Sequence, residues 1–187
     1  MKQIGLLGGT FDPPHLGHLI IAEEVRANLG LDEIWFIPSQ EPPHKQKATT
    51  DAVDRAEMVR YAISTNEYFK LNPIEIERPG KSFTIDTIRQ LRDENPNTDF
   101  YFIIGADMVE YLPKWKDIEE LTELVKFVGV ERQGYKVKSE YPVIKVQIPT
   151  IEVSSTAIRE RLQNGISVKY QVPEPVETYI KEKDLYE

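Results

Sequence analysis

Apolar residues recur along this chain in two patterns that alternate. Short continuous apolar runs, of the kind that form buried strands, are followed by stretches in which apolar side chains return every three or four residues, as on one face of a helix. The runs predict strands at residues 4–7, 33–37, 71–77, 100–104, 126–130 and 143–148. The periodic stretches predict helices with inward-facing residues at 21, 25 and 29, at 52, 56, 59 and 63, and at 158 and 162, and further helices at 84–94, 121–124 and about 175–183.

This alternation predicts an α/β fold. Right-handed crossovers between parallel strands place helices on both faces of a mostly parallel, doubly wound sheet. The length of 187 residues suits a single domain. Within it we expect a core at about residues 1–150 and a small helical C-terminal part at about residues 151–187.

The composition excludes some classes of protein. No cysteine is present, which excludes a disulfide framework and a thiolate zinc site. No signal-peptide pattern opens the sequence and no apolar run approaches the roughly 20 residues of a membrane span, so we expect a cytoplasmic protein without a membrane partner. The net charge of −8 argues against nucleic acid as a partner. Small anionic ligands still fit if basic side chains gather, and the candidates are Lys45, Lys47, Arg132 and Arg159.

Residues 8–18, Gly-Gly-Thr-Phe-Asp-Pro-Pro-His-Leu-Gly-His, join the first strand to the first helix. At such a junction, phosphates can meet the unpaired N–H groups of the helix. Gly8 and Gly9 allow a ligand to approach the backbone closely. His15 and His18 are three residues apart and therefore lie on the same side of the first helical turn. Because neither falls in a core-like pattern, we interpret both as phosphate-binding rather than structural.

A second segment, residues 153–159, reads Val-Ser-Ser-Thr-Ala-Ile-Arg and begins a predicted helix. Ser154, Ser155 and Thr156 can offer hydroxyl and main-chain donors to phosphates. Arg159, one turn later, adds a charged pair of donors. In the alternative interpretation, Ser155 only caps the helix and Arg159 is solvated.

Residues 8–18 resemble the signature of the HxGH nucleotidyltransferases, and residues 153–159 resemble the SSTxIR motif of the same family. The resemblance implies a Rossmann-like form of the predicted sheet. It also implies that a phosphate oxygen of an acceptor attacks the α-phosphorus of ATP and that pyrophosphate leaves, without a covalent enzyme intermediate. Carried over to this chain, the catalytic residues are His18, at the α-phosphate, and His15 beside it.

The resemblance also assigns an ATP site, made of Gly8, Gly9, Thr10, Phe11, Gly105, Asp107, Arg132, Ser154, Ser155, Thr156 and Arg159. Asp107 follows a predicted strand, where a carboxylate can bind the ribose hydroxyls; its alternative role is the N-cap of the next helix. Arg132 is assigned near adenine, although residues 132–134 read Arg-Gln-Gly where the family more often has Arg-Pro-Gly. Mg²⁺ is expected to arrive with ATP, and no metal-binding residues are assigned.

Residues 37–39 with 42–45, 82–87, 105–107 with 112–115, and 128–134 most resemble the nicotinate-nucleotide adenylyltransferases within this family. That likeness implies nicotinate mononucleotide as acceptor and deamido-NAD as product, with a mononucleotide site of Ser39, His44, Lys45, Thr84 and Trp115. Lys45 suits the phosphate, Trp115 can stack on the pyridine ring, and main-chain N–H groups near Thr84 and Trp115 can bind its carboxylate. The alternatives are a solvated Lys45 and a Trp115 that only fills the core.

Other functions stay open at this point. The acceptor could be nicotinamide mononucleotide, phosphopantetheine or a polyol phosphate, since main-chain donors that select an acid over an amide leave no side-chain signature. Asp12, His15 and His18 could instead hold the metal of a hydrolase, or the chain could bind ATP without catalysis. The absence of G-x-x-x-x-G-K-[ST] and G-x-G-x-x-G disfavours a P-loop enzyme and a dehydrogenase. Homodimers are common in the resembled family, but no stretch here identifies an interface.

Overall fold

The computed structural model describes residues 1–40, 48–132, 134 and 136–187 of the chain. Within these residues six strands form one sheet, in the order β3-β2-β1-β4-β5-β6, and every neighbouring pair is parallel. The strands are β1 (Lys2–Gly9), β2 (Glu33–Pro38), β3 (Phe69–Leu71), β4 (Thr98–Gly105), β5 (Lys126–Glu131) and β6 (Val143–Gln147). This strand order is the one that Rossmann-type dinucleotide-binding sheets adopt.

Helices connect the strands and follow the last of them. They are α1 (Leu16–Leu29), α2 (Ala52–Ile63), α3 (Ile74–Glu77), α4 (Thr84–Glu94), α5 (Ala106–Val109), α6 (Ile118–Leu124), α7 (Ser155–Gln163) and α8 (Glu174–Glu182), with a 3-10 turn at Leu112–Lys114. No helix in the described part of the chain combines the length and the apolar character that a membrane crossing requires.

The central strands β1, β2, β4 and β5 are mostly apolar and are buried on both faces of the sheet, whereas the edge strand β6 is largely exposed. On one face, β1 and β4 side chains such as Ile4 and Phe100 pack against Ile88 of α4. On the other face, strand residues such as Phe36 pack against the helices α1, α2, α7 and α8, with Val25 of α1 fully buried. The predicted doubly wound parallel sheet is confirmed. The division into one domain with a helical C-terminal part stays a prediction.

The predicted strand at residues 71–77 is wrong beyond its first residue. The strand β3 ends at Leu71, and Ile74–Glu77 forms the short helix α3 instead. The side-chain oxygen of Asn72 accepts a hydrogen bond of 3.1 Å from the N–H of Ile74, and Pro73 has no N–H to continue a strand ladder. The alternation of the apolar residues Ile74 and Ile76 with polar neighbours predicted a strand, but both residues belong to one helical turn.

The strand order creates a crevice at the carboxyl end of the sheet. From β1 the chain crosses to β2 on one side, whereas β4, on the other side of β1, is followed by β5. Where the connections that follow two neighbouring parallel strands lead to opposite sides, their loops diverge and leave room for a ligand. Gly8 and Gly9 end β1 at this point, and Gly105 ends β4 beside them.

Candidate active site

The turn from Thr10 to His15 leads from β1 into α1. Phe11 has a φ of 52° and the Asp12–Pro13 peptide bond is cis. The ring of Phe11 folds back over the end of β1, so a Cβ placed on Gly9 would lie only 3.1 Å from it. Phe11 also contacts the imidazole of His18, with ring centroids 4.9 Å apart. A side chain at position 9 would therefore require the Phe11 ring to shift by a few tenths of an ångström.

His15 and His18 hold one another in a fixed orientation. His15 is the N-cap of α1, and its Nδ1 accepts a hydrogen bond of 3.1 Å from the N–H of Gly17. His18 Nδ1 in turn accepts a hydrogen bond of 3.1 Å from the N–H of His15. The two rings stack with centroids 3.8 Å apart. Since each Nδ1 accepts, the ring proton of both imidazoles lies on Nε2, which makes Nε2–H the donor that each ring can offer to a ligand.

Gly17 makes this stacking possible. A Cβ on Gly17 would lie 2.9 Å from two atoms of the His15 ring, closer than side-chain carbons approach one another.

Burial, and after it the charge of Arg132, lowers the pKa of His15 to about 4. His15 is therefore neutral at pH 7 and acts as a hydrogen-bond donor rather than as a cation.

The serine segment lies directly against this histidine turn. Ser155 donates a hydrogen bond of 2.8 Å to the main-chain oxygen of Pro13, and Arg159 donates one of 2.8 Å to the main-chain oxygen of Asp12. Arg159 also donates to the hydroxyl of Thr156 at 3.3 Å. The structure thus brings together two segments that are more than 130 positions apart in the sequence.

The alternative roles considered for this segment do not match the structure. Ser154, and not Ser155, caps α7, because its hydroxyl oxygen accepts from the N–H of Ala157 at 3.2 Å. Arg159 is half-buried and bound to the turn rather than solvated.

The opposite side of the crevice carries Gly105, Asp107 and Arg132. Gly105 is itself the N-cap of α5, so Asp107 lies inside the first turn of that helix and is not its N-cap. The carboxylate of Asp107 is exposed and folds over Gly105, where a Cβ would lie 2.5 Å from Oδ1. Arg132 follows β5, is close enough to lower the pKa of His15, and lines an open cleft of about 880 Å³. The described residues that line this cleft do not include Gly105, Asp107 or either histidine.

Thr84 and Trp115 lie in neighbouring segments. Lys116, next to Trp115, places its ammonium 4.7 Å from the ring of Phe83 and 3.5 Å from the carboxylate of Asp86. The half-buried indole of Trp115 meets Phe102 edge to face, with centroids 5.8 Å apart. The N–H of Trp115 donates to the oxygen of Leu112 at 3.0 Å, so this main-chain donor is already engaged within the 3-10 turn.

A polar network holds the start of α4, where Thr84 lies. Arg78 donates to the hydroxyls of Ser82 at 3.2 Å and of Thr87 at 3.1 Å. The hydroxyl of Thr87 donates to the carboxylate of Glu75 at 2.9 Å, and burial raises the pKa of Glu75. The segment 82–87 is therefore fixed from within the protein, and α4 has no side-chain cap among the described residues.

Ser39 follows β2 at the same edge of the sheet. Its N–H donates to the oxygen of Gly9 at 2.9 Å. Its hydroxyl is buried and has no hydrogen-bond partner among the residues that the structure describes. A buried hydroxyl without a partner is unusual in a folded protein. His44, Lys45 and Lys47 lie outside the described residues.

Arg55 was not predicted as a functional residue from the sequence, and it is only 1% exposed although it is charged. Its guanidinium donates to main-chain oxygens of Thr10 at 2.6 Å, Ser39 at 2.7 Å, Gln40 at 3.2 Å and Thr50 at 3.1 Å. Burial lowers the pKa of this guanidinium, and the nearby carboxylate of Asp12 opposes the shift. The spacing along α2 could have indicated that Arg55 is buried. Arg55 lies three and four residues before the buried Met58 and Val59 and therefore shares their helix face.

The hydrogen bonds that hold Asp12 were not predicted from the sequence either. Asp12 is 3% exposed, and Oδ1 accepts a hydrogen bond of 2.5 Å from the hydroxyl of Tyr186. Oδ2 accepts one of 2.7 Å from the N–H of Thr49. Among the described residues, no group of three or more side chains is arranged to hold a metal ion. Asp12 thus serves to hold the turn, in contrast to the metal-ligand role considered above.

A family model described as cytidylyltransferase-like matches residues 6–161. The chain is 56% identical over 186 residues to the probable nicotinate-nucleotide adenylyltransferase of Oceanobacillus iheyensis, with 100% of this chain and 97% of the relative covered. It is 51% identical over 188 residues to the nicotinate-nucleotide adenylyltransferase of Bacillus subtilis, with both chains fully covered at 100%.

Solved structures share the fold. The Plasmodium falciparum nicotinic acid mononucleotide adenylyltransferase complexed with NaAD superposes with a TM-score of 0.83 at 22% identity, covering 100% of this chain and 98% of that one. A structure of a Vibrio parahaemolyticus relative gives a TM-score of 0.74, also at 22% identity, covering 100% and 96%. The family match and the full-length relatives together show that the chain belongs to the cytidylyltransferase-like family and, within it, to the nicotinate-nucleotide adenylyltransferases.

Proposed function

We propose that this protein transfers AMP from ATP to nicotinate mononucleotide, giving deamido-NAD and pyrophosphate in NAD biosynthesis. The names of the full-length relatives support the reaction. The observation that carries the mechanism is the contact of Ser155 and Arg159 with the histidine turn at the carboxyl end of β1. That contact gathers neutral imidazole donors, hydroxyl groups and a guanidinium at one place, which suits a triphosphate.

The chemistry requires positioning and charge stabilisation more than a protein nucleophile. A phosphate oxygen of the mononucleotide forms a bond to the α-phosphorus of ATP. The bond from that phosphorus to the oxygen that bridges to the β-phosphate breaks, and pyrophosphate leaves with the electron pair. Negative charge grows on the nonbridging and leaving oxygens, where fixed N–H donors are most effective.

We assign His18 and His15 as catalytic residues that supply such donors. The main-chain N–H of Gly17 fixes His15 Nδ1 as an acceptor, the main-chain N–H of His15 fixes His18 Nδ1 in the same way, and the proton of each ring therefore lies on Nε2. The low pKa of His15 keeps its ring neutral, so its donor is in place before ATP binds. We assign His18 to the α-phosphate and His15 to neighbouring phosphate oxygens.

The remaining ATP contacts are proposed from their positions around the crevice. Ser154, Ser155, Thr156 and Arg159 would bind the β- and γ-phosphates from the start of α7. Residues 8–11 would face the nucleotide at the end of β1, with Gly8 exposed and open to a ligand. Asp107 would take the ribose hydroxyls, and Arg132 would lie over the adenine side.

Magnesium is proposed to arrive with ATP and to neutralise part of the triphosphate charge. The described residues fit this arrangement, because both carboxylate oxygens of Asp12 already accept hydrogen bonds. Phosphate oxygens and water would therefore supply most of the metal's ligands. The protein's own part is to orient the triphosphate with Arg159 and the serine segment.

The mononucleotide is proposed to lie between Ser39, Thr84 and Trp115. Phe102 holds the indole of Trp115 in place for stacking on the pyridine ring. Because the N–H of Trp115 is engaged with Leu112, the first turn of α4 is the better source of donors for the nicotinate carboxylate. His44 and Lys45 are proposed to contact the mononucleotide phosphate. A homodimer and a cytoplasmic location stay predictions.

The function is tested with purified protein, ATP, Mg²⁺ and separate acceptors: nicotinate mononucleotide, nicotinamide mononucleotide and phosphopantetheine. Pyrophosphate release and the dinucleotide product are measured. We expect the highest kcat/KM with nicotinate mononucleotide. Chelation should stop the reaction and added Mg²⁺ should restore it, whereas a hydrolase that needs a transition metal would stay inactive. An equal kcat/KM with phosphopantetheine, or ATP binding without pyrophosphate release, would contradict the proposal.

A further inference from the structure

Asp12 connects three separate parts of the chain to the histidine turn. Its side chain accepts hydrogen bonds from the hydroxyl of Tyr186 and from the N–H of Thr49, and its main-chain oxygen accepts one from Arg159. Tyr186 is 6% exposed and follows α8. A residue remote in sequence thus determines how Asp12 is oriented within the turn.

The charges around Asp12 make this hydrogen bond important. Arg55 is buried close by and has the carboxylate of Asp12 as a counter-charge. Burial, followed by the hydrogen bond to Asp12, raises the pKa of Tyr186, so its hydroxyl stays a donor at neutral pH. Without that donor, Oδ1 of Asp12 would be a buried carboxylate oxygen without its hydrogen bond, which favours reorientation of the side chain.

We propose that Tyr186 is a positioning residue for adenylyl transfer, which acts through Asp12 on the turn that carries His15 and holds Arg159. The inference rests on the proposed function for its kinetic consequence, but the geometric consequence stands independently of it. Reorientation of Asp12 moves the main-chain oxygen that Arg159 binds, and it loosens the backbone three residues before His15. A displacement of about 1 Å in such groups can cost up to about 10²-fold in rate.

A purely structural role for Tyr186 is the competing explanation. Its ring belongs to the apolar cluster that also contains Val176 and Ile180, so truncation would destabilise the protein in any case. Tyr186→Phe keeps the ring and removes only the hydroxyl. Tyr179→Phe is the matched control, since the hydroxyl of Tyr179 donates to the carboxylate of Asp54 at 2.6 Å and joins α8 to α2 rather than to the turn.

The first test measures kcat, both KM values and the thermal midpoint of the wild type and the two variants. We expect Tyr186→Phe to lower kcat roughly tenfold, with the KM for the mononucleotide nearly unchanged. Tyr179→Phe should lower the thermal midpoint to a similar extent and keep the wild-type kcat. The inference is overturned if both variants keep the wild-type kcat, or if both lose it in proportion to their loss of stability.

A second test follows His15 by NMR during a pH titration and needs no turnover, so it separates this inference from the proposed function. In Tyr186→Phe the pKa of His15 should rise from about 4 toward its ordinary value, because the turn admits more water. In Tyr179→Phe it should not move. Should Tyr186→Phe fail to fold, Asp12→Asn provides the same two readouts with the tyrosine intact. An unchanged titration of His15 in the folded variant would refute the positioning role.

Discussion

Arg159 donates a hydrogen bond of 2.8 Å to the main-chain oxygen of Asp12, a residue 147 positions earlier in the chain. The contact joins the start of α7 to the turn between β1 and α1. It therefore fixes the distance between the serine segment and the two stacked imidazoles before any ligand is present. Preorganised donors of this kind do not have to reorganise when charge develops on a phosphate.

His18→Ala should remove one such donor. We expect kcat to fall roughly 10²–10³-fold, which corresponds to about 3–4 kcal/mol of transition-state stabilisation. The measurement is steady-state pyrophosphate release, together with the thermal midpoint. Asn28→Ala, at an exposed position of the same helix, is the control and should keep the wild-type kcat. A fall of less than threefold in kcat for the His18 variant would contradict the catalytic role.

His15 should make stability depend on pH. Its pKa is about 4 in the folded protein and 6.5 as the ordinary value, so the unfolded chain binds more protons between these limits. The contribution of His15 to the free energy of unfolding is therefore fully present above pH 6.5. It is lost as the pH falls toward 4, by up to about 3 kcal/mol in total.

The measurement is the free energy of unfolding by urea at several pH values. His15→Asn keeps a side chain that can cap α1, and its stability should fall less steeply with acid than that of the wild type. Identical pH profiles for the two proteins would show that His15 is not the group responsible. Between pH 6.5 and 8, the titration of His15 should leave kcat unchanged.

Arg55→Lys should destabilise the protein by about 2–4 kcal/mol, because an ammonium group cannot reach main-chain oxygens in several directions at once. One of these oxygens belongs to Ser39, which is proposed to contact the mononucleotide, so the KM for the mononucleotide should also rise. Arg60→Lys on the same helix is the control. Arg60 is exposed and its bond to Glu57 is a surface ion pair, so this change should stay within about 0.5 kcal/mol. Equal stabilities for the two variants would refute the role given to Arg55.

Trp115→Leu should raise the KM for nicotinate mononucleotide about fivefold and leave the KM for ATP nearly unchanged, since aromatic stacking contributes about 1 kcal/mol. Trp35→Leu is the control for the loss of an indole. Trp35 lies on β2, is bonded to Glu33 at 2.8 Å and packs on Phe100, so its loss should lower stability without a selective change in KM. A Trp115 variant that loses stability alone would favour the role of core filler.

The fold could be read from the sequence because its physical cause is local. The central strands, which are buried on both faces, are mostly apolar, and the helix stripes return every three or four residues. The exception at Ile74 and Ile76 has a local cause too, in the proline and asparagine that precede them. The meeting of the two motifs was predictable only from the family resemblance.

The supports of the site could not be read in the same way. The helix face of Arg55 could be read from its spacing to Met58 and Val59, but the main-chain oxygens that it binds belong to other segments and leave no periodic signal. The hydrogen bond from Tyr186 to Asp12 spans 174 positions and needs the fold to be known. The choice of Ser154 over Ser155 as the cap depends on the residue at which α7 begins.

The proposed mechanism requires that His18 and the start of α7 bind one and the same triphosphate. The most direct measurement is a crystal structure with a nonhydrolysable ATP analogue and Mg²⁺. We expect the α-phosphate within hydrogen-bond distance of His18 Nε2, and the β- or γ-phosphate within that distance of Arg159 or Ser155. A triphosphate bound to only one of these two segments, or on another edge of the sheet, would contradict it.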